Sequence, residues 1–208
     1  SQRLGLTSEA QASARAVNVG SNATGANTTL AIDVEAGTGL LEIDAGNYSN
    51  SIASIELLEN NGRDVALNNV SLADGQTLRA IDPTGEASLE LTRAGQTGTA
   101  NVELGVGTRN IDVSGDASSE ETINVELAEA GTYTGNWSGF GGTDELSLTA
   151  DADITGVSST NGGLGGFTTM SIGSGNLTAT AAQIDALTTL NAETSGNVNV
   201  TALGSGEV

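Results

Sequence analysis

From Val17 onward the chain is a succession of short segments in which every second residue is apolar, as in Thr29–Glu35 (TLAIDVE), Ala100–Val106 (ANVELGV) and Thr122–Leu127 (TINVEL). Gly, Asn, Asp, Ser and Thr separate them. A period of two places alternate side chains on opposite faces of an extended strand. Strands recurring about every ten residues with turn residues between them predict an all-β sandwich, barrel or solenoid. The single proline, Pro83, falls between two such segments, where a missing amide donor does least harm. Residues 7–16 (TSEAQASARA) break the pattern. Thr7 or Ser8 can cap a helix and helix formers follow, so a short N-terminal helix is expected within a lead segment of residues 1–16. At Ala179–Leu187 (ATAAQIDAL) a second short helix or turn competes with strand continuation.

An internal repeat is suggested by segments that match in order. Val17-Asn18-Val19 pairs with Ile123-Asn124-Val125, and Leu30-Ala31-Ile32 with Leu146-Ser147-Leu148. Ile52–Leu57 pairs with Phe167–Ile172, and Leu72 and Leu78 with Ile184 and Leu190. These offsets divide the chain into β-rich units at 17–122 and 123–208, so that tandem β-solenoid or β-sandwich units follow the lead segment.

Composition narrows the function classes. Five aromatic residues in 208 leave an apolar content made of Val, Ile, Leu and Ala, which suits thin sheet layers. The net charge is −20, from 26 acidic residues against six arginines and no lysine. Such a surface repels nucleic-acid phosphates and anionic lipid, so neither is an expected partner. Cysteine and histidine are both absent, which removes disulfides, thiolate and imidazole chemistry and leaves hard, oxygen-seeking cations as the metals to expect. No apolar run reaches the roughly 18 residues of a membrane-spanning helix, and no membrane insertion is expected. The start at Ser1 and the single Met170 suggest a processed or excised part of a longer protein. For catalysis only paired carboxylates remain, and they lack the aromatic platform that sugar-cleaving sites use. The chain is therefore expected not to be an enzyme. The Gly-rich run Asn161–Gly166 has no lysine and no helix signal behind it, so it is a loop and not a phosphate cradle.

Gly139-Phe140-Gly141-Gly142-Thr143-Asp144-Glu145-Leu146-Ser147 approaches the nonapeptide G-G-x-G-x-D-x-U-x, in which glycines aim carbonyls at an ion, Asp supplies a charged oxygen and a large apolar residue anchors the strand. Here the chain resembles the calcium-binding RTX β-roll. Phe140 replaces a family glycine, and the neighbouring Asp116–Asn124 (DASSEETIN) keeps an acid and Ile123 but no glycine. Calcium is the cofactor this resemblance implies, with Asp144 and Gly142 as ligands and Asp116, Asp151 and Asp153 as weaker candidates. Phe167–Ile172 and Asn176–Leu187 resemble segments of RTX-type surface-layer proteins and giant secreted bacterial adhesins, and the acidic, lysine-free, threonine-rich composition is similar to that of archaeal surface glycoproteins. The resemblance covers about a third of the chain. It implies an extracellular, cell-surface structural module that self-assembles with lattice neighbours as a homo-oligomer, layer, sheath or filament.

The alternative is an adhesin or fibre domain that binds a glycan or a receptor protein, for which Tyr133, Trp137 and Phe140 in the loop 131–142 form the one aromatic cluster. Seven Asn-X-Ser/Thr sequences, at Asn22, Asn27, Asn47, Asn69, Asn136, Asn176 and Asn199, are candidate glycosylation sites.

Overall fold

A computed structural model describes residues 2–6, 16–18, 29–34, 39–45, 54–58, 62–81, 83–92, 97–114, 121–141, 143–159, 163–192 and 196–202. The chain winds as a parallel β-solenoid with two strands per turn. Odd-numbered strands build one nine-stranded sheet and even-numbered strands the other. The odd sheet runs β1 (Gln2–Leu6), β3 (Thr29–Val34), β5 (Ser54–Leu57), β7 (Thr77–Ala80), β9 (Gly98–Leu104), β11 (Glu121–Leu127), β13 (Glu145–Leu148), β15 (Thr169–Ile172) and β17 (Thr189–Ala192). Opposite lie β2 (Ala16–Asn18), β4 (Leu41–Asp44), β6 (Val65–Ser71), β8 (Ala87–Thr92), β10 (Gly107–Ser114), β12 (Gly131–Ser138), β14 (Ala152–Ser158), β16 (Asn176–Thr180) and β18 (Asn197–Ala202). Every strand pairing among the described residues is parallel and joins a strand to the one two places along the chain, which settles the solenoid over the sandwich.

The alternation seen in the sequence is the reason for this architecture. In β3 the burial runs strictly in and out, with Leu30, Ile32 and Val34 inside. Because neighbouring strands are in register, each inward residue stacks on the inward residue of the next turn. One such row is Leu30, Ile55, Leu78, Val102, Val125, Leu146 and Met170, none more than 4% exposed. Across the core stands the row Ile43, Leu67, Leu89, Ile111 and Trp137. Burying each of these side chains contributes about 1.5–3 kcal/mol, and no aromatic globule is needed.

The structural period is one turn. In the odd sheet it ranges from 20 residues, Thr169 to Thr189, to 28, Gln2 to Leu30. The boundary expected between 122 and 123 falls inside β11, whose Thr122 and Ile123 pair with Thr99 and Ala100, and the sheet continues through it. Three of the four matched pairs of segments contain partners exactly as far apart as five steps along the odd sheet, from β3 to β13, β5 to β15 and β7 to β17. The fourth joins β2 to β11, on opposite sheets. The helix expected over 7–16 lies outside the described residues except for Ala16, which opens β2. The second is found: α1 (Ala181–Asp185) has a capping box in which Thr180 and Gln183 each satisfy the other's backbone N–H.

Candidate functional site

The aromatic cluster is where sequence and structure part. Tyr133 and Trp137 are completely buried and Phe140 nearly so, because alternation in β12 turns residues 133 and 137 inward. Phe140 stacks on Phe167 at 4.0 Å, and Trp137 meets Phe167 edge-on at 6.3 Å. The polar tips are also satisfied internally. Trp137 Nε1 donates to the Arg109 carbonyl at 2.9 Å, and the Tyr133 hydroxyl donates to the Glu129 carbonyl at 2.7 Å while accepting from the Glu129 N–H at 3.1 Å. These three residues are core, so the expected ligand contact on them is corrected: the widest side chains fill the widest part of the interior and leave no ring face to a ligand.

Beside them sits the least expected side chain of the molecule. Arg109 occupies the inward row of Leu41, Val65 and Ala87 and is 1% exposed. Its Nη1 donates to the carbonyls of Gly85 (3.0 Å) and Thr108 (2.9 Å), and its Nη2 to those of Pro83 and Val106, both at 2.6 Å. The Nε hydrogen has no partner. Burial holds its pKa below the ordinary guanidinium value, with Glu129 and Tyr133 acting the other way. Arg109 thus ties two successive corners of the solenoid together. Two turns earlier, in the corner before β6, Arg63 Nε donates to the Gly39 carbonyl at 3.0 Å. The signal in the sequence was the phase of Arg109, two residues before Ile111 and four before Val113.

Of the candidate cation ligands, Asp151 and Asp153 line one shallow groove together with Asn176, and Asp144 lies outside it. Asp144 is buried, and its carboxylate closes a turn: Oδ1 accepts from Ile123 N at 2.6 Å and Oδ2 from Gly141 N at 3.0 Å. Asp151 accepts from both the backbone and side-chain nitrogens of Asn176 at 2.8 Å, and Asp153 from the N–H and hydroxyl of Thr155. Asp116 and Gly142 lie outside the described residues. Among the described residues no group of three or more acidic, His or Cys side chains is placed to hold a metal.

Asp144 and Asp151 belong to a recurring device. Asp64 accepts from Glu86 N, Asp74 from Thr99 N and Glu129 from Val106 N, so each of the five carboxylates holds a backbone N–H one turn away. Carboxylate bonds to N–H groups are stronger than neutral ones. Part of the acidic excess therefore fastens turn to turn.

Outside, the ladders make shallow grooves, of which the one holding Asp151 and Asp153 measures about 260 Å³. The even sheet carries one of about 440 Å³ lined by Asn68, Ser88, Glu90, Asn110, Asp112 and Asn136 among others, and the odd sheet one of about 240 Å³ containing Glu103, Glu126 and Glu145. Glu103 is already engaged by Arg79, which also bonds Glu56. Of the sequon asparagines, Asn69, Asn176 and Asn199 are exposed and Asn136 is half-buried, while Asn22, Asn27 and Asn47 lie outside the described residues. No family model matches the chain, and neither does any curated protein or solved structure.

Proposed function

We propose that this chain is a non-enzymatic structural module of a cell surface, which gives length and joins copies of itself into a layer, sheath or filament. The observation that carries the reading is at the outermost described strands. Leu190 of β17 continues the row from Leu30 to Met170, yet it is 38% exposed where every earlier member is buried. Val200 of β18 continues the position of the fully buried Ala179 and is 47% exposed. Among the described residues no strand pairs with the outer edges of β17 and β18, and open inward apolar positions beside such an edge favour a further β layer. A neighbouring copy that lays its own strands there makes a head-to-tail contact that repeats without closing.

Electron microscopy and sedimentation of the purified protein test this. Filaments or sheets that are lost in Leu190→Asp, with the fold intact by circular dichroism, are the expected result. Monomers at all concentrations in the parent would overturn it. The adhesin reading now draws its support from the 440 Å³ groove of the even sheet, whose amides and carboxylates could hydrogen-bond a glycan, and no longer from the aromatic residues.

A further inference from the structure

The four Asn-X-Ser/Thr sequences among the described residues all fall on the same sheet. Asn69 is in β6, Asn136 in β12, Asn176 in β16 and Asn199 in β18. The odd sheet is also rich in asparagine, with Asn101, Asn124 and Asn191 in β9, β11 and β17. There the residue two places on is Glu each time: Glu103, Glu126 and Glu193. In regular strand, as at Asn176, Asn101 and Asn124, period two directs an asparagine and its second neighbour to the same face. The two faces therefore offer the same amide with opposite partners, a hydroxyl on one and a carboxylate on the other.

We propose that Asn69, Asn176 and Asn199 are N-glycosylated, so that among the described residues the even sheet bears sugar and the odd sheet is bare. The donor is an oligosaccharide linked through phosphate to a lipid. The Asn Nδ2 attacks the anomeric carbon, the carbon–oxygen bond to phosphate breaks, Nδ2 gives up one proton and the lipid phosphate departs. No oxidant or reductant is required. The second Nδ2 hydrogen survives, and in this fold it has work: Asn176 Nδ2 donates to Asp151 at 2.8 Å and Asn69 Nδ2 to Asp44 at 3.2 Å. A glycan on either amide is compatible with the native hydrogen bond. Asn69 is further set apart by φ +58°, at a register shift of β6 that lifts it out of the regular ladder. Asn136 is excluded from the set because it lines the even-sheet groove half-buried, and its Ser138 hydroxyl is committed to the Asp112 carboxylate at 2.7 Å. Thr178, the hydroxyl residue of the Asn176 sequence, is the ladder partner of Asn199, so two of the sites adjoin on neighbouring strands.

The proposal rests on the cell-surface reading above, and peptide mass spectrometry of protein purified from its native source tests it. Trypsin leaves everything beyond Arg109 uncut and a glutamyl endopeptidase leaves Asn176 and Asn191 on one peptide, so cleavage at both Glu and Asp, which parts the two at Asp185, is the choice. A saccharide mass excess on the peptides bearing Asn69, Asn176 and Asn199, with those bearing Asn101, Asn124 and Asn191 at their plain masses, is the expected result. Asn176→Gln should then remove one oligosaccharide from the intact mass. Plain masses at all three sites, or sugar on the odd sheet, would overturn the proposal. Filaments formed by sugar-free native protein would sink this inference and leave assembly standing, whereas glycosylated monomers would do the reverse.

Discussion

Replacing Arg109 with methionine sets two large effects against each other. The guanidinium gives four hydrogen bonds to the carbonyls of Pro83, Gly85, Val106 and Thr108. Bonds of this charged kind contribute about 1.5–3 kcal/mol each. Holding a guanidinium away from water costs several kcal/mol, and the pKa depression by burial shows the same penalty. The balance favours Arg109 by about 3–5 kcal/mol, close to the loss seen when one partner of a buried polar set is removed. Urea unfolding read by the fluorescence of Trp137, the single tryptophan, reports on the right place because its indole bonds to Arg109 itself. With a slope of about 2 kcal/mol per molar urea, Arg109→Met should lower the midpoint by about 1.5–2.5 M and leave the slope unchanged. Arg79→Met is the control. Its side chain is 42% exposed between Glu56 and Glu103, and an exposed ion pair of that kind contributes less than about 1 kcal/mol. An Arg109→Met midpoint at or above the parent's would show that desolvation outweighs the four bonds and refute the reasoning.

Gly139→Ala should cost about 3 kcal/mol or more, since its φ is +83° and a Cβ would stand 1.9 Å from the Val113 carbonyl oxygen; Gly39→Ala, with φ +82° and open space, should cost about 1–2 kcal/mol in the same thermal melts. Burial raises the Tyr133 phenol above its ordinary pKa, with its backbone bond to Glu129 acting the other way. The folded state thus keeps this proton longer than the unfolded one, so its contribution is full below about pH 10 and is lost as pH rises through the raised value. Melting temperatures of Tyr48→Phe across pH 7–12, with absorbance at 295 nm, check this; phenolate forming at its ordinary pH without loss of stability would contradict it. Asp144→Ala should lose about 3 kcal/mol with its two backbone bonds in the same melts. Excess chelator tests calcium separately: a lower melting temperature or dissolved assemblies support it, and an unchanged melting curve removes it.

The β class, the strand positions and α1 were legible because alternation and capping are local properties, written in Thr29–Val34 or in Thr180 with Gln183. The turn period was not. Corners of unequal length spread it over 20–28 residues in the odd sheet, and a variable period blurs short matches while letting a multiple of it, Leu30 against Leu146, stand out. Tyr133, Trp137 and Phe140 were misplaced because nearness in sequence was taken for a surface cluster, although the phase of β12 already turned Tyr133 and Trp137 inward. Asp144 fitted an ion-binding motif by residue type. Only the three-dimensional placement of Ile123 N and Gly141 N reveals that its oxygens are spent on the backbone.

In-register parallel winding also has a mechanical meaning. Ladder hydrogen bonds run between turns, along the long direction of the stack, so a pull on the two ends loads the contact between one turn and the next instead of shearing strands past each other. The weakest contact opens first and the remaining turns stay wound. Each turn of 20–28 residues that peels away releases about 65–100 Å of extended chain. Under tension this molecule would lengthen in steps, like a coil shedding loops, and a force-extension trace with a sawtooth of that spacing is its expected signature.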